Sequence, residues 1–187
     1  PPPVAFNFSS INTFTPYLIR QVKKHLCMKT IYLIRLAKSS WEDLNLDDHE
    51  RPLNERGKKD AGRMARYLEG IGIQPEICLC STSKRTKETY SYFTPIFMGL
   101  PLSLLRKLYH ASVDNIVDEI KSIDNNYDKS FLFGHNNGIS EFVSIIQNKQ
   151  VSLSTCSFTE ILFDVDDWKE IDLLNARINA AKAPKDL

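Results

Sequence analysis

The stretch that decides the fold is Thr30–Trp41, TIYLIRLAKSSW, in which a short apolar run stops at a charged residue. Ile31–Ile34 consists of residues that favour strands, and an unbroken apolar run is typical of a parallel strand buried on both faces. In open α/β sheets ligands bind at the carboxyl ends of such strands. The run therefore predicts that Arg35, which follows it directly, lies at a functional site.

A second stretch with the same design is Phe131–Gly138, FLFGHNNG, in which the apolar run is followed by His135. Arg35 and His135 at neighbouring strand ends would form a compact cationic pocket suited to a phosphoryl group. Arg85, in the first turn of a predicted helix, would add a second forked guanidinium. For each residue alone a structural ion pair or a hydrogen-bonded turn is the simpler interpretation, and the three together favour an anion site.

Around these two stretches, strand and helix patterns alternate along the chain. Further strands are predicted at Ile77–Cys80, Leu102–Leu105 and Thr159–Val165. Helices are predicted to begin at the N-cap residues Asn54, Ser81 and Ser112 and at about Ile139. This alternation predicts an α/β protein, a three-layer α/β/α sandwich with a mostly parallel central sheet.

The chain of 187 residues is 42% hydrophobic and 25% charged, which is the composition of an ordinary globular protein with one domain. We expect that domain at 28–175, preceded by an extension at 1–27 and followed by a loose polar tail at 176–187. The extension carries no charge before Arg20, which is the reverse of a secretory signal. A short amphipathic helix is predicted within the extension at 17–26. The origin of the extension is left open.

Several functions are disfavoured by composition and by missing motifs. A net charge of +1 gives no general field for nucleic acid, and no apolar run approaches the length of a membrane span. The four cysteines, Cys27, Cys78, Cys80 and Cys156, form no metal-ligand pattern, and the chain has no phosphate-binding glycine motif. We expect no metal and no cofactor, and apolar thiols suited to a reducing cytoplasm.

The ordered motifs TIYLIRLAKSSW, RPLNERG (Arg51–Gly57), CSTSKR (Cys80–Arg85) and LFGHNNG (Leu132–Gly138) resemble the histidine phosphatase superfamily, and most closely its SixA-like phosphohistidine phosphatases. The resemblance implies a phosphoglycerate mutase-like fold, with Arg35, Arg85 and His135 binding phosphate. In that family a histidine follows the first arginine and attacks phosphorus. This chain has Leu36 at that position, and smaller departures from the family pattern at Thr82 and Asn137.

Leu36 matters because a leucine side chain has no lone pair with which to attack phosphorus. The resemblance therefore implies a protein that dephosphorylates phosphohistidine or another phosphomonoester in an impaired way. The alternative is a pseudophosphatase that binds phosphoryl groups without turnover. The partner would be a phosphorylated protein, such as a phosphohistidine domain, or a small phosphomonoester.

Other side chains around the predicted pocket have weaker assignments. His110 either approaches the pocket, where it would protonate a leaving group, or is an exposed loop histidine. Lys38 and Ser39 are expected at the substrate rim, and Trp41 is expected to pack beneath its loop. His135 is a poor substitute nucleophile, because the family pattern makes it a charge stabiliser.

Overall fold

The computed structural model describes residues 28–187, so the extension at 1–27 and its predicted helix lie outside the described residues. The described chain forms one six-stranded sheet. Its strands are β1 (Lys29–Arg35), β2 (Ile77–Ser81), β3 (Leu102–Leu105), β4 (Lys129–Gly134), β5 (Phe158–Phe163) and β6 (Arg177–Lys182). Their order across the sheet is β3-β2-β4-β1-β5-β6. Strands β3, β2, β4 and β1 run parallel to one another. Strand β5 pairs antiparallel with β1, and β6 pairs antiparallel with β5, so the sheet is mixed.

Four helices cover the two faces of the sheet, which gives the expected three layers. They are α1 (Glu55–Gly70), α2 (Lys84–Ser91), α3 (Val113–Lys121) and α4 (Gly138–Gln147). Alternate residues of β1 point to opposite faces, so Ile31 and Leu33 pack with α3 and α4, while Tyr32 and Ile34 pack with α1 and α2. The sheet is therefore buried on both sides, as the apolar runs of β1 and β4 predicted.

Two predicted helix starts are confirmed and one is wrong. The Asn54 side chain accepts a hydrogen bond from the Gly57 amide at 2.8 Å, and Ser112 caps α3 in the same way. Helix α2 instead has Ser83 at its N-cap, and the predicted cap Ser81 is the last residue of β2. The Ser81 hydroxyl contacts His135, so it serves the neighbouring strand end and not the helix.

The prediction of a loose tail at 176–187 is wrong, because Arg177–Lys182 forms β6 along the edge of the sheet. Strand β5 is buried along most of its length, and β6 pairs with its backbone from Phe158 to Leu162. Backbone pairing of this kind needs no apolar run. None of the helices in the described residues is long and apolar enough to cross a membrane.

Candidate phosphoryl-binding site

The candidate site lies at the carboxyl edge of the sheet, where β1 and β4 end side by side. Arg35 pairs with Gly134 in the parallel register, and the Leu36 amide donates a hydrogen bond to the Gly134 carbonyl at 3.1 Å. Leu36 and His135, the residues after the two strands, are therefore neighbours. This is the convergence that the two apolar runs predicted.

All seven residues singled out from the sequence line one cavity of about 370 Å³. They are Arg35, Leu36, Lys38, Ser39, Arg85, His110 and His135. The lining also includes residues that were given no role from the sequence, among them Asp48 and Arg51. The cavity wall thus carries four cationic side chains and one carboxylate, so it attracts anions.

Two glycines allow the loops around the cavity to approach the helices closely. A Cβ on Gly57, at the start of α1, would lie 2.2 Å from the Lys38 carbonyl oxygen. A Cβ on Gly138, at the start of α4, would lie 1.9 Å from the carbonyl oxygen of Ala111. The backbones beside Lys38 and His110 can therefore reach the site only because these positions have no side chain.

His135 is buried in a polar network that engages both ring nitrogens. Its Nδ1 accepts from Arg85 Nη2 at 3.4 Å, because a guanidinium can only donate. Its Nε2 therefore carries the proton and lies 2.8 Å from Ser81 Oγ and 3.0 Å from Thr86 Oγ1. Burial, together with the nearby Arg85 charge, lowers the pKa of His135 to about 3. The imidazole is neutral at ordinary pH and has no free lone pair with which to attack phosphorus.

Only some of the hydrogen-bond donors of the Arg35 guanidinium have partners among the described residues. Its Nη1 donates to the Leu153 carbonyl, while its buried Nε has no hydrogen-bond partner among the described residues. Burial also lowers the pKa of this guanidinium. An unpaired donor beside a cationic cavity is suited to an anionic oxygen of a ligand.

Leu36 lies against the same cavity and is buried, with only 7% of its surface exposed. It places methyl groups beside the cationic side chains of the cavity. His110 also lines the cavity, so the approach considered from the sequence is observed, and its Nε2 lies 3.1 Å from Asp48 Oδ2. Lys38 and Ser39 also line the cavity, and their contact with substrate stays a prediction.

The sequence interpretation missed the central position of Asp48 and Arg51. The Asp48 carboxylate contacts Arg51, Arg85, Tyr109 and His110, and the Arg51 side chain is buried against the Ser40 carbonyl. A signal was available, since Arg51 opens the RPLNERG motif and Asp48 stands three residues before it. Which side chain the carboxylate would meet depends on chain segments distant in sequence.

Trp41 does not pack beneath its loop, and that expectation is wrong. Its side chain is 64% exposed at the rim of the cavity. The Arg51 guanidinium stacks on the indole at 3.2 Å from the ring centroid, and this cation–π contact replaces burial as the stabilising interaction. Within the described part of the chain, no group of three or more His, Cys, Asp or Glu side chains is arranged to hold a metal ion.

Comparison with known proteins gives one family and one fold. Residues 31–129 match the family model described as histidine phosphatase superfamily, branch 1. The chain is 29% identical over 156 residues to an uncharacterized chloroplastic protein of Arabidopsis thaliana, covering 76% of this chain and 70% of that protein. It is 26% identical over 164 residues to an uncharacterized protein of Mycobacterium leprae, covering 81% of this chain and 100% of the other.

Two solved structures share the fold. A SixA protein from Agrobacterium tumefaciens superposes with a TM-score of 0.72 at 21% identity, covering 83% of this chain and 98% of the other. The protein histidine phosphatase SixA complexed with tungstate gives a TM-score of 0.71 at 17% identity, covering 83% and 97%. The predicted α/β fold of the phosphoglycerate mutase type is confirmed by these neighbours.

Proposed function

Because the chain belongs to branch 1 of the histidine phosphatase superfamily, we propose that it binds phosphohistidine or another phosphomonoester and hydrolyses it poorly. The observation that carries the proposal is Leu36, an apolar side chain placed among the anion-binding groups of the cavity. The binding groups are present, and the attacking group is absent.

Binding of a phosphoryl group rests on Arg35 and Arg85. The unpaired Nε of Arg35 and the fork of Arg85 can each donate to phosphate oxygens. His135 lies behind Arg85 and holds its guanidinium from one side. A relative of the same fold has been solved with tungstate, which is a tetrahedral oxyanion like phosphate.

Poor hydrolysis follows from the chemistry of the remaining side chains. Covalent catalysis needs a nucleophile in line with the leaving group, and Leu36 cannot supply one. Both nitrogens of His135 are engaged, and His110 is bonded to Asp48 through Nε2. Attack by water, with charge stabilised by the arginines, is the remaining route, and it is slow without an activating base.

Binding with no turnover at all is the limiting form of this proposal, a pseudophosphatase that recognises phosphorylated partners. The partner in either form is a phosphorylated protein, such as a phosphohistidine domain, or a small phosphomonoester. A reducing compartment such as the cytoplasm suits the free buried thiols Cys78, Cys80 and Cys156.

Calorimetric titration with inorganic phosphate at low salt tests the binding part of the proposal. The chain is expected to bind phosphate, and Arg85→Met is expected to weaken binding about 30-fold, because a charge-assisted pair of hydrogen bonds is lost. Arg106→Met is the matched control, since Arg106 stacks on Tyr109 outside the cavity lining. Absence of binding by the unmodified chain, or equal loss in both variants, would contradict the proposal.

A further inference from the structure

The Asp48 carboxylate already engages the cationic groups of the cavity. Its Oδ2 accepts from Arg85 Nη2 at 2.8 Å, from the Tyr109 hydroxyl at 2.6 Å and from His110 at 3.1 Å. Its Oδ1 accepts from Arg51 Nη1 at 2.8 Å. Four side chains from three parts of the chain thus surround one carboxylate, as they would surround an anionic ligand.

These contacts occupy the Arg85 donors that a phosphoryl group would need. Both terminal nitrogens of Arg85 point at Asp48, one at its carboxylate and the other at its backbone carbonyl. Although burial acts to raise it, the hydrogen bonds from Tyr109, His110 and the arginines hold the pKa of Asp48 well below its ordinary value. The carboxylate is therefore charged at ordinary pH, and it would repel a second anion held at the same donors.

The loop that carries Asp48 permits the side chain to leave without unfolding. Its base is closed by hydrogen bonds from the Ser40 amide to the Pro52 carbonyl at 2.8 Å and from the Asn54 amide to the Lys38 carbonyl at 2.9 Å. Between these ends, residues 41–47 are all exposed, and the Asp48 side chain is 43% exposed. A rotation of the Asp48 side chain into solvent would release Arg85 Nη2 while the base of the loop stayed in place.

We propose that Asp48 is a tethered competitor for the phosphoryl group, which binds by exchanging with this carboxylate at Arg85. The inference rests on the proposed function and adds a specific residue that limits affinity. Since ligand binds only when Asp48 has left, the apparent dissociation constant is raised by the reciprocal of the fraction of molecules with an open site. The same factor applies to every anion that uses Arg85, whatever its charge.

The test compares phosphate and sulfate titrations of the unmodified chain with those of Asp48→Asn and Asp48→Ala. With about a tenth of molecules open, both variants are expected to bind both anions about tenfold more tightly. Asp43→Asn is the matched control, because it removes one negative charge from the same loop at a side chain outside the cavity lining. It is expected to change either affinity less than twofold, as an exposed charge is screened. Thermal melts of each variant verify folding, and the alanine variant also removes the acceptor that asparagine retains.

Four results would overturn the inference. Weaker or unchanged phosphate binding in both Asp48 variants would show that the carboxylate positions Arg85 and does not compete. A gain that differs between the two anions in proportion to their charge would show repulsion without exchange. Binding by none of the proteins would contradict both this inference and the proposed function, whereas binding by the unmodified chain alone would contradict only the inference.

Discussion

Leu36 and His135 occupy equivalent places in the fold, each directly after one of two paired parallel strands, yet their surroundings are opposite. His135 is held by an arginine and by the hydroxyls of Ser81 and Thr86. Leu36 is equally buried and offers only methyl groups to the cavity. On the proposed function, the difference teaches that the side chains which hold an anion and the side chain which attacks it occupy different positions, so position 36 can lose its role while Arg35, Arg85 and His135 keep theirs.

The largest effect is expected when His135 is replaced by leucine, so that both strand ends carry an apolar side chain. His135→Leu would leave the buried Ser81 hydroxyl without its partner and would remove one contact each from Thr86 and Arg85, which would lower the free energy of unfolding by about 3 kcal/mol. It would also weaken phosphate binding, by less than the change expected for Arg85→Met, because Arg85 loses one of its contacts. Urea denaturation and phosphate titration measure the two effects. His110→Leu is the control, and a loss of comparable size there would show that burial of His135 is not the cause.

Replacing Leu36 with alanine should affect packing alone. Leu36→Ala removes a buried apolar side chain that faces the cavity on one side, so we expect a loss of stability of about 2 kcal/mol, at the low end for such changes. Phosphate affinity should stay within about threefold, because the Leu36 side chain has no hydrogen-bond donor. A large fall in phosphate affinity, with folding retained, would show that Leu36 does more than fill space.

A smaller effect, the pH dependence of the free energy of unfolding, distinguishes His135 from Leu36. The pKa of His135 falls from 6.5 to about 3 on folding, so between these values the unfolded chain binds a proton that the folded chain does not. His135 therefore makes stability fall as pH decreases from 6.5 toward 3, by up to about 1.4 kcal/mol per pH unit. Urea denaturation between pH 7.5 and 5 should give a shallower slope for His135→Gln than for the unmodified chain. Equal slopes would show that folding does not lower the pKa of His135.

The parts of the fold predicted from the sequence are those with a local physical signal. The apolar runs of β1 and β4 require burial on both faces, and that requirement places Arg35 and His135 at one sheet edge. Strand β6 has no such run, because an edge strand can be held by backbone pairing, and its residues read as a polar tail.

The positions of the loop residues Asp48 and Trp41 were less predictable than those of the strand-end residues Arg35 and His135, for a related reason. Asp48 meets Arg85 and His110 only after the loop folds back over helices distant in sequence. Trp41 is held by stacking with Arg51, whereas its size and apolar character favoured burial. In both cases the deciding interaction is between side chains that no local pattern connects.

The central claim is that this chain retains the phosphoryl-binding groups and lacks only the nucleophile, and the Leu36→His variant tests it most directly. Hydrolysis of a phosphohistidine protein and of an aryl phosphate should be measured for the unmodified chain, for Leu36→His and for the polar control Leu36→Gln. We predict that only Leu36→His gains activity, by about a thousandfold or more, since the loss of one essential nucleophile commonly removes at least that much. Brisk hydrolysis by the unmodified chain, or no gain in a folded Leu36→His protein that binds phosphate, would contradict the account.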